Sequence, residues 1–108
     1  MDYKVFTNAL SEKKGEDIKV LKIDEICSFA DYFIIASGKN VNQIQAMADA
    51  VQEDAAKSGY EQKMIEGYEK ANWILMDYGD IIVHIFDHES RSFYNLERLW
   101  NDAQVMEE

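Results

Sequence analysis

The sequence predicts an α/β fold: one mixed five-stranded sheet, its helices mainly on one face, in the order α-β-β-α-β-β-β-α. Three observations lead there. Stretches with apolar residues at helical spacing open the chain, follow Asn40 and follow Asp87. Between them lie short apolar runs bounded by glycines and turn residues, which is strand patterning. The segment Trp73 to Phe86 holds two such runs split at Tyr78-Gly79, which reads as a hairpin. A mixed sheet with helices packed mostly on one side is the economical way to bury these elements. The 108 residues contain no repeat, no low-complexity tract and no proline. They read as a single domain, residues 1–108, able to bury roughly two-thirds of its unfolded surface.

The first fourteen residues read as a helix. Val5, Phe6, Ala9 and Leu10 form its apolar stripe, Lys13 and Lys14 occupy the last turn, and Gly15 is placed to close it. A strand follows from Ile18 to Ile23, then a loop with Asp24, Glu25 and Ser28. The next strand, Tyr32 to Ala36, has little polar alternation, as a central strand covered on both sides requires. Ser37-Gly38-Lys39-Asn40 breaks it and starts a helix with the stripe Val41, Ile44, Ala48, Val51 and Ala55, stopped at Gly59. A third strand is expected over Gln62 to Glu66, then the hairpin strands Trp73 to Tyr78 and Asp80 to Phe86. Asp87 can cap a last helix whose stripe is Phe93, Leu96, Leu99 or Trp100, and Ala103.

The hairpin has unlike faces. Ile74, Met76, Ile81, Val83 and Ile85 make one purely aliphatic face that suits a core. Opposite lie Trp73, Leu75 and Asp77, then Asp80, Ile82, His84 and Phe86. With Tyr78-Gly79 as the tip, Trp73 is expected opposite His84 and Leu75 opposite Ile82. A large apolar face with a polar fringe is what a protein-binding surface looks like.

Charge narrows the partners. Twenty-one acids against eleven bases give a formal charge of −10, which repels a nucleic acid backbone and favours encounter with a basic protein. No apolar run approaches the roughly 20 residues of a membrane span, and no basic-then-apolar leader opens the chain. Cys27 is alone, which fits a reducing cytosol and a small packed side chain.

No set of residues converges on catalysis. His84 and His88 lie on a strand and beyond its end, so no metal site is expected. Ser90, His84 and Asp87 lack the strained turn and oxyanion donors of a nucleophilic triad. Ser37-Gly38-Lys39 precedes a helix but lacks P-loop glycine spacing, so helix capping is its ordinary explanation. No cofactor is expected.

The segments SFADYFIIASGKN, WILMDYGDIIVHIF and RSFYNLERLW, in that order, closely resemble the Iojap family, the ribosomal silencing factors. The match runs from Asp17 to Trp100 and includes Asp31, Ser37-Gly38, Gly67-Tyr68 and Trp73. The resemblance implies binding to the large ribosomal subunit at large-subunit ribosomal protein fourteen, a basic protein on the face that meets the small subunit. Occupying that face blocks subunit joining and represses translation. Assembly of the large subunit, the task of organellar relatives, is the alternative role. Lacking an Arg- and Ser-rich transit segment, the chain is expected to be bacterial in type and cytoplasmic.

The family's fold is similar to a nucleotidyltransferase core, which raises an enzyme as a further alternative. The strand after the long helix, Gln62 to Glu66, carries no acid-x-acid pair, and Asp77 and Asp80 flank a turn. The expectation is therefore a fold kept without its catalytic carboxylates. The expected contact residues are Trp73 as anchor, Leu75, Ile82 and Phe86 for apolar area, and Asp77 and Asp80 for a basic partner. His84 is expected beside Trp73, and Tyr68 and Tyr78 at the rim or packed on turns. Glu66 and Glu69 can add charge. Two other readings stand beside this one: Trp73 buried beneath a helix, and an apolar sheet face that pairs with itself in a homodimer.

Overall fold

The computed structural model describes residues 2–99 and 103–107. The chain runs α1 (Lys4–Glu12), β1 (Glu16–Lys22), β2 (Tyr32–Gly38), α2 (Val41–Lys57), β3 (Met64–Glu66), β4 (Trp73–Asp77), β5 (Ile81–Asp87), α3 (His88–Tyr94), α4 (Leu96–Leu99) and β6 (Gln104–Glu107). The strands form one mixed sheet of six, ordered β3-β4-β5-β2-β1-β6. Of its pairings β2 with β5 is parallel, with α2 in the long connection between them, and the rest are antiparallel. The predicted class holds and the element order holds as far as α3; the last helix is split into α3 and α4, which lie at the face opposite α1 and α2, and a sixth strand follows.

Apolar runs without alternation went to the middle of the sheet. β2 and β5 are buried at nearly every position, because both of their faces are covered. On one side lie α1 and α2, packed through Phe6, Leu10, Ile44, Met47 and Val51 onto the aliphatic residues Ile34, Ile74, Met76, Val83 and Ile85. The other side holds a smaller cluster of Leu21, Ile23, Phe33, Ile35, Ile82 and Phe86. Leu96 covers it from α4, and Trp73 and Leu75 lie at its margin. At roughly 25 cal/mol per Å² of apolar area, the first cluster dominates the hydrophobic stabilisation.

The helix ends follow local chemistry with two departures from expectation. Asn40 caps α2 by accepting from the Gln43 N–H at 2.8 Å. Gln43 Oε1 accepts from the Lys39 N–H at 2.6 Å, so this amino end is already satisfied by its own side chains. Val41, where the chain reverses beyond the end of β2, is exposed, and Met47 joins the buried stripe. After α1, Lys14 rather than Gly15 takes the left-handed backbone. Gly15 is needed for space: a Cβ there would stand 2.8 Å from Met47 Cε and 2.9 Å from the Leu10 carbonyl oxygen.

The hairpin register differs from expectation by two residues. Trp73 pairs with Phe86, Leu75 with His84 and Asp77 with Ile82. The tip is Gly79-Asp80, because the first tip position of such a turn needs positive φ and Gly79 supplies it at 88°. Asp77 Oδ1 accepts from the Gly79 N–H at 2.7 Å and the Tyr78 N–H donates to the Ile81 carbonyl at 2.9 Å. Since the slip is an even number of residues, every side chain keeps its face.

The last predicted helix does not continue to Ala103. Asn95 turns left-handed (φ 45°, ψ 58°), its N–H closes α3 on the Arg91 carbonyl, and the chain is redirected. Asn tolerates that conformation better than most residues. Consequently Phe93 is 79 % exposed while Leu96 is buried. Ala103 precedes β6, which pairs with β1. Trp100 lies outside the described residues.

Candidate functional site

The face opposite α1 and α2 carries an aromatic cluster built by strand alternation. Trp73 on β4 projects beside His84 and Phe86 on β5. Its indole Nε1–H donates to His84 Nδ1 at 3.1 Å. The Phe86 ring lies 5.1 Å from the indole, and Tyr94 of α3 lies 4.5 Å from it. Phe33 of β2 meets His84 edge-on at 4.7 Å. Accepting at Nδ1 places the proton of the neutral imidazole on Nε2, which is buried and has no hydrogen-bond partner among the described residues. Burial lowers the His84 pKa to about 4, so the ring is neutral near pH 7.

The expected contact residues separate into three groups. Trp73, Leu75 and Asp77 keep partial exposure on this face, and Asp80 is exposed at the hairpin tip. Ile82, His84 (3 % exposed) and Phe86 (0 %) form the floor beneath them. A floor residue can shape this face but cannot touch a partner without rearrangement, so direct contact is not expected of these three. Tyr78 and Tyr68 lie elsewhere. Tyr78, 3 % exposed, points to the opposite core, where it meets Phe6 edge-on at 5.0 Å and donates to Gln62 Oε1 at 3.3 Å. One residue past β4, it keeps the even-numbered phase of Ile74 and Met76, and burial raises its pKa to about 12. Tyr68 donates to Asp49 Oδ1 of α2 at 2.8 Å, on the helical side. Trp73 is thus neither free nor sealed: it is half-buried, with α3 leaning on one flank.

Three participants escaped the sequence reading. Tyr94 flanks the indole and Phe33 supports His84. Arg91 fastens α3 to the sheet: its Nη1 donates to Ser37 Oγ at 2.9 Å, and Nε and Nη2 donate to Glu97 Oε2 at 3.3 and 3.2 Å. One signal was available for Tyr94. It follows the Asp87 cap by seven residues, two helical turns, which returns it to the side of the strand end. Arg91 had no local signal, because Ser37 is distant in sequence. Asp87 accepts from the Ser90 N–H at 2.7 Å as a helix cap. His88 pairs with Glu16 at 3.0 Å on the surface, and His84 is on the sheet. These three do not converge.

A family model described as ribosomal silencing factor during starvation, RsfS, matches residues 2–108. The chain belongs to the RsfS family of ribosomal silencing factors. Among RsfS relatives, the ribosomal silencing factor of Halalkalibacterium halodurans is 43 % identical over 100 residues, 93 % of this chain and 86 % of that protein. The one from Bacillus subtilis is 41 % identical over 102 residues, 94 % of this chain and 86 % of that protein. A crystal structure from Chromobacterium violaceum superposes with TM-score 0.91 at 32 % identity, covering 94 % of this chain and 88 % of that one.

Proposed function

We propose that this chain binds the large ribosomal subunit through large-subunit ribosomal protein fourteen, prevents the small subunit from joining, and so represses translation in the cytoplasm. The observation that carries this reading is the margin of the sheet face opposite α1 and α2 that α3 and α4 leave uncovered. There Trp73 and Leu75 are half-buried beside the acids Asp77 and Asp80, on a chain of formal charge −10. Such a surface suits a basic protein and not a nucleic acid backbone. The mechanism is steric, so no catalytic group is needed. Ser37, held by Arg91, and Asp77, held by the hairpin turn, are read as structural groups and not as catalytic ones.

The test is co-sedimentation of the chain with isolated large subunits, followed by addition of small subunits. The expected outcome is a bound chain and fewer joined particles. Joining at the uninhibited level with the chain bound would refute the blocking mechanism and favour assembly as its role. Trp73→Ala is expected to weaken binding by about 2 kcal/mol or more, the hot-spot scale. It also removes the stack on Phe86, so Leu75→Lys, at a half-buried position outside that stack, serves as the companion variant. Unchanged binding of a folded Leu75→Lys would exclude this face.

A further inference from the structure

The open face extends past the hairpin to the loop between β1 and β2. Phe29 in that loop is 64 % exposed, and its ring lies 6.5 Å from Phe33, which in turn contacts His84. It therefore stands on the same side of the sheet as Trp73 and Leu75. Ile26, three residues earlier, is also exposed. Two large apolar side chains held outward on one short loop are not explained by the fold, whose core under this loop is filled by Cys27, Ala30 and Phe33.

The surroundings of that loop are acidic. The Asp31 N–H donates to the Asp80 carbonyl at 2.8 Å, which brings the loop against the hairpin tip. Glu25 and Asp31 belong to the loop and Asp77 and Asp80 to the hairpin end, and none of the four is in an ion pair among the described residues. Lys22 lies 3.7 Å from Asp24 and Lys63 3.8 Å from Glu61, and neither pairs with any of these four acids. Exposed carboxylates without a basic neighbour of their own are free to receive a cation from a partner, at the modest gain of a solvent-facing pair. An exposed phenyl ring beside them adds a face on which a guanidinium or ammonium can rest.

We infer that the β1–β2 loop is a second contact element, in which Phe29 docks on the partner protein while Asp31 and Asp80 receive its lysine or arginine side chains. The occupant is a basic protein surface with an apolar spot for Phe29. This deepens the binding reading above and rests on it. Trp73 and Leu75 then grip one end of the face and Phe29 the other, so affinity depends on both.

The test measures binding of wild type, Phe29→Ala and Asp31→Lys to isolated large subunits by co-sedimentation over a range of salt, with melting and sedimentation of each free chain as controls. Phe29→Ala is expected to melt like wild type, since the ring is exposed, and to bind at least tenfold more weakly. Asp31→Lys is expected to weaken binding at low salt and to show a flatter salt dependence than wild type. Wild-type binding with Phe29→Ala unchanged would overturn this inference and leave the broader one standing. Failure of wild type to bind would overturn both. A wild-type dimer lost in Phe29→Ala, with large-subunit binding intact, would assign the loop to a second copy of the chain and overturn the inference.

Discussion

Trp73 and His84 act as a unit, because each supplies what the other needs. The indole N–H finds an acceptor and the imidazole gains a fixed tautomer in a site that excludes water. The cost is a pH dependence. The folded-state pKa of about 4 lies below the ordinary value of about 6.5. Between those values the unfolded chain binds more protons than the folded one. Stability from this residue is therefore complete above about pH 6.5 and is lost as pH falls towards 4, by about 3 kcal/mol in all. Denaturant melts at pH 7 and pH 4.5 should show wild type losing about 2 kcal/mol more than His84→Gln between the two conditions. Equal losses would mean that the imidazole already titrates normally in the fold.

At the scale of elements, the face is positioned by turns more than by strands. Gly67 precedes the turn that leads into β4 and has φ of 81°. A Cβ there would collide with the Trp73 carbonyl oxygen. Gly67→Ala is accordingly expected to cost more than about 2 kcal/mol of stability, combining left-handed strain with the clash. It should also weaken large-subunit binding by displacing β4. Normal melting and binding would show that the turn relaxes at little cost. The same contrast explains what was legible beforehand. Period-two alternation identified both faces of the hairpin, and its aliphatic face is wholly buried as expected. Register was not legible, since it depends on which tip residue accepts positive φ. Nor was the break after α3, because Phe93, Leu96 and Ala103 share a helical period that one left-handed Asn95 is enough to defeat.

At the scale of the molecule, charge and layering decide what can approach. Both long helices cover one side of the sheet, and the described residues leave Trp73 and Leu75 at the margin of the other. No described helix is long and apolar enough to cross a membrane. The surplus of acids sets a long-range field that speeds encounter with a basic partner. Asp80→Lys should slow association with large subunits several-fold at low salt and leave it nearly unchanged at high salt, in stopped-flow measurements. Asp80 is the cleaner choice, since Asp77 also holds the Gly79 N–H. Equal slowing at both salt concentrations would point to a lost contact and not to steering.

Residue order alone determined the α/β class, the element sequence as far as α3, the side of the sheet on which each hairpin residue lies, and the family. These follow from periodicity, caps and motif order, all of which act over a few residues. Tertiary structure decided which of the facing residues a partner can reach. Ile82, His84 and Phe86 alternate in phase with Trp73 and Leu75, yet they sit on a central strand between two neighbours and are covered by them. Burial is set by what packs alongside, from Phe33 to Tyr94, and those neighbours come from distant parts of the chain.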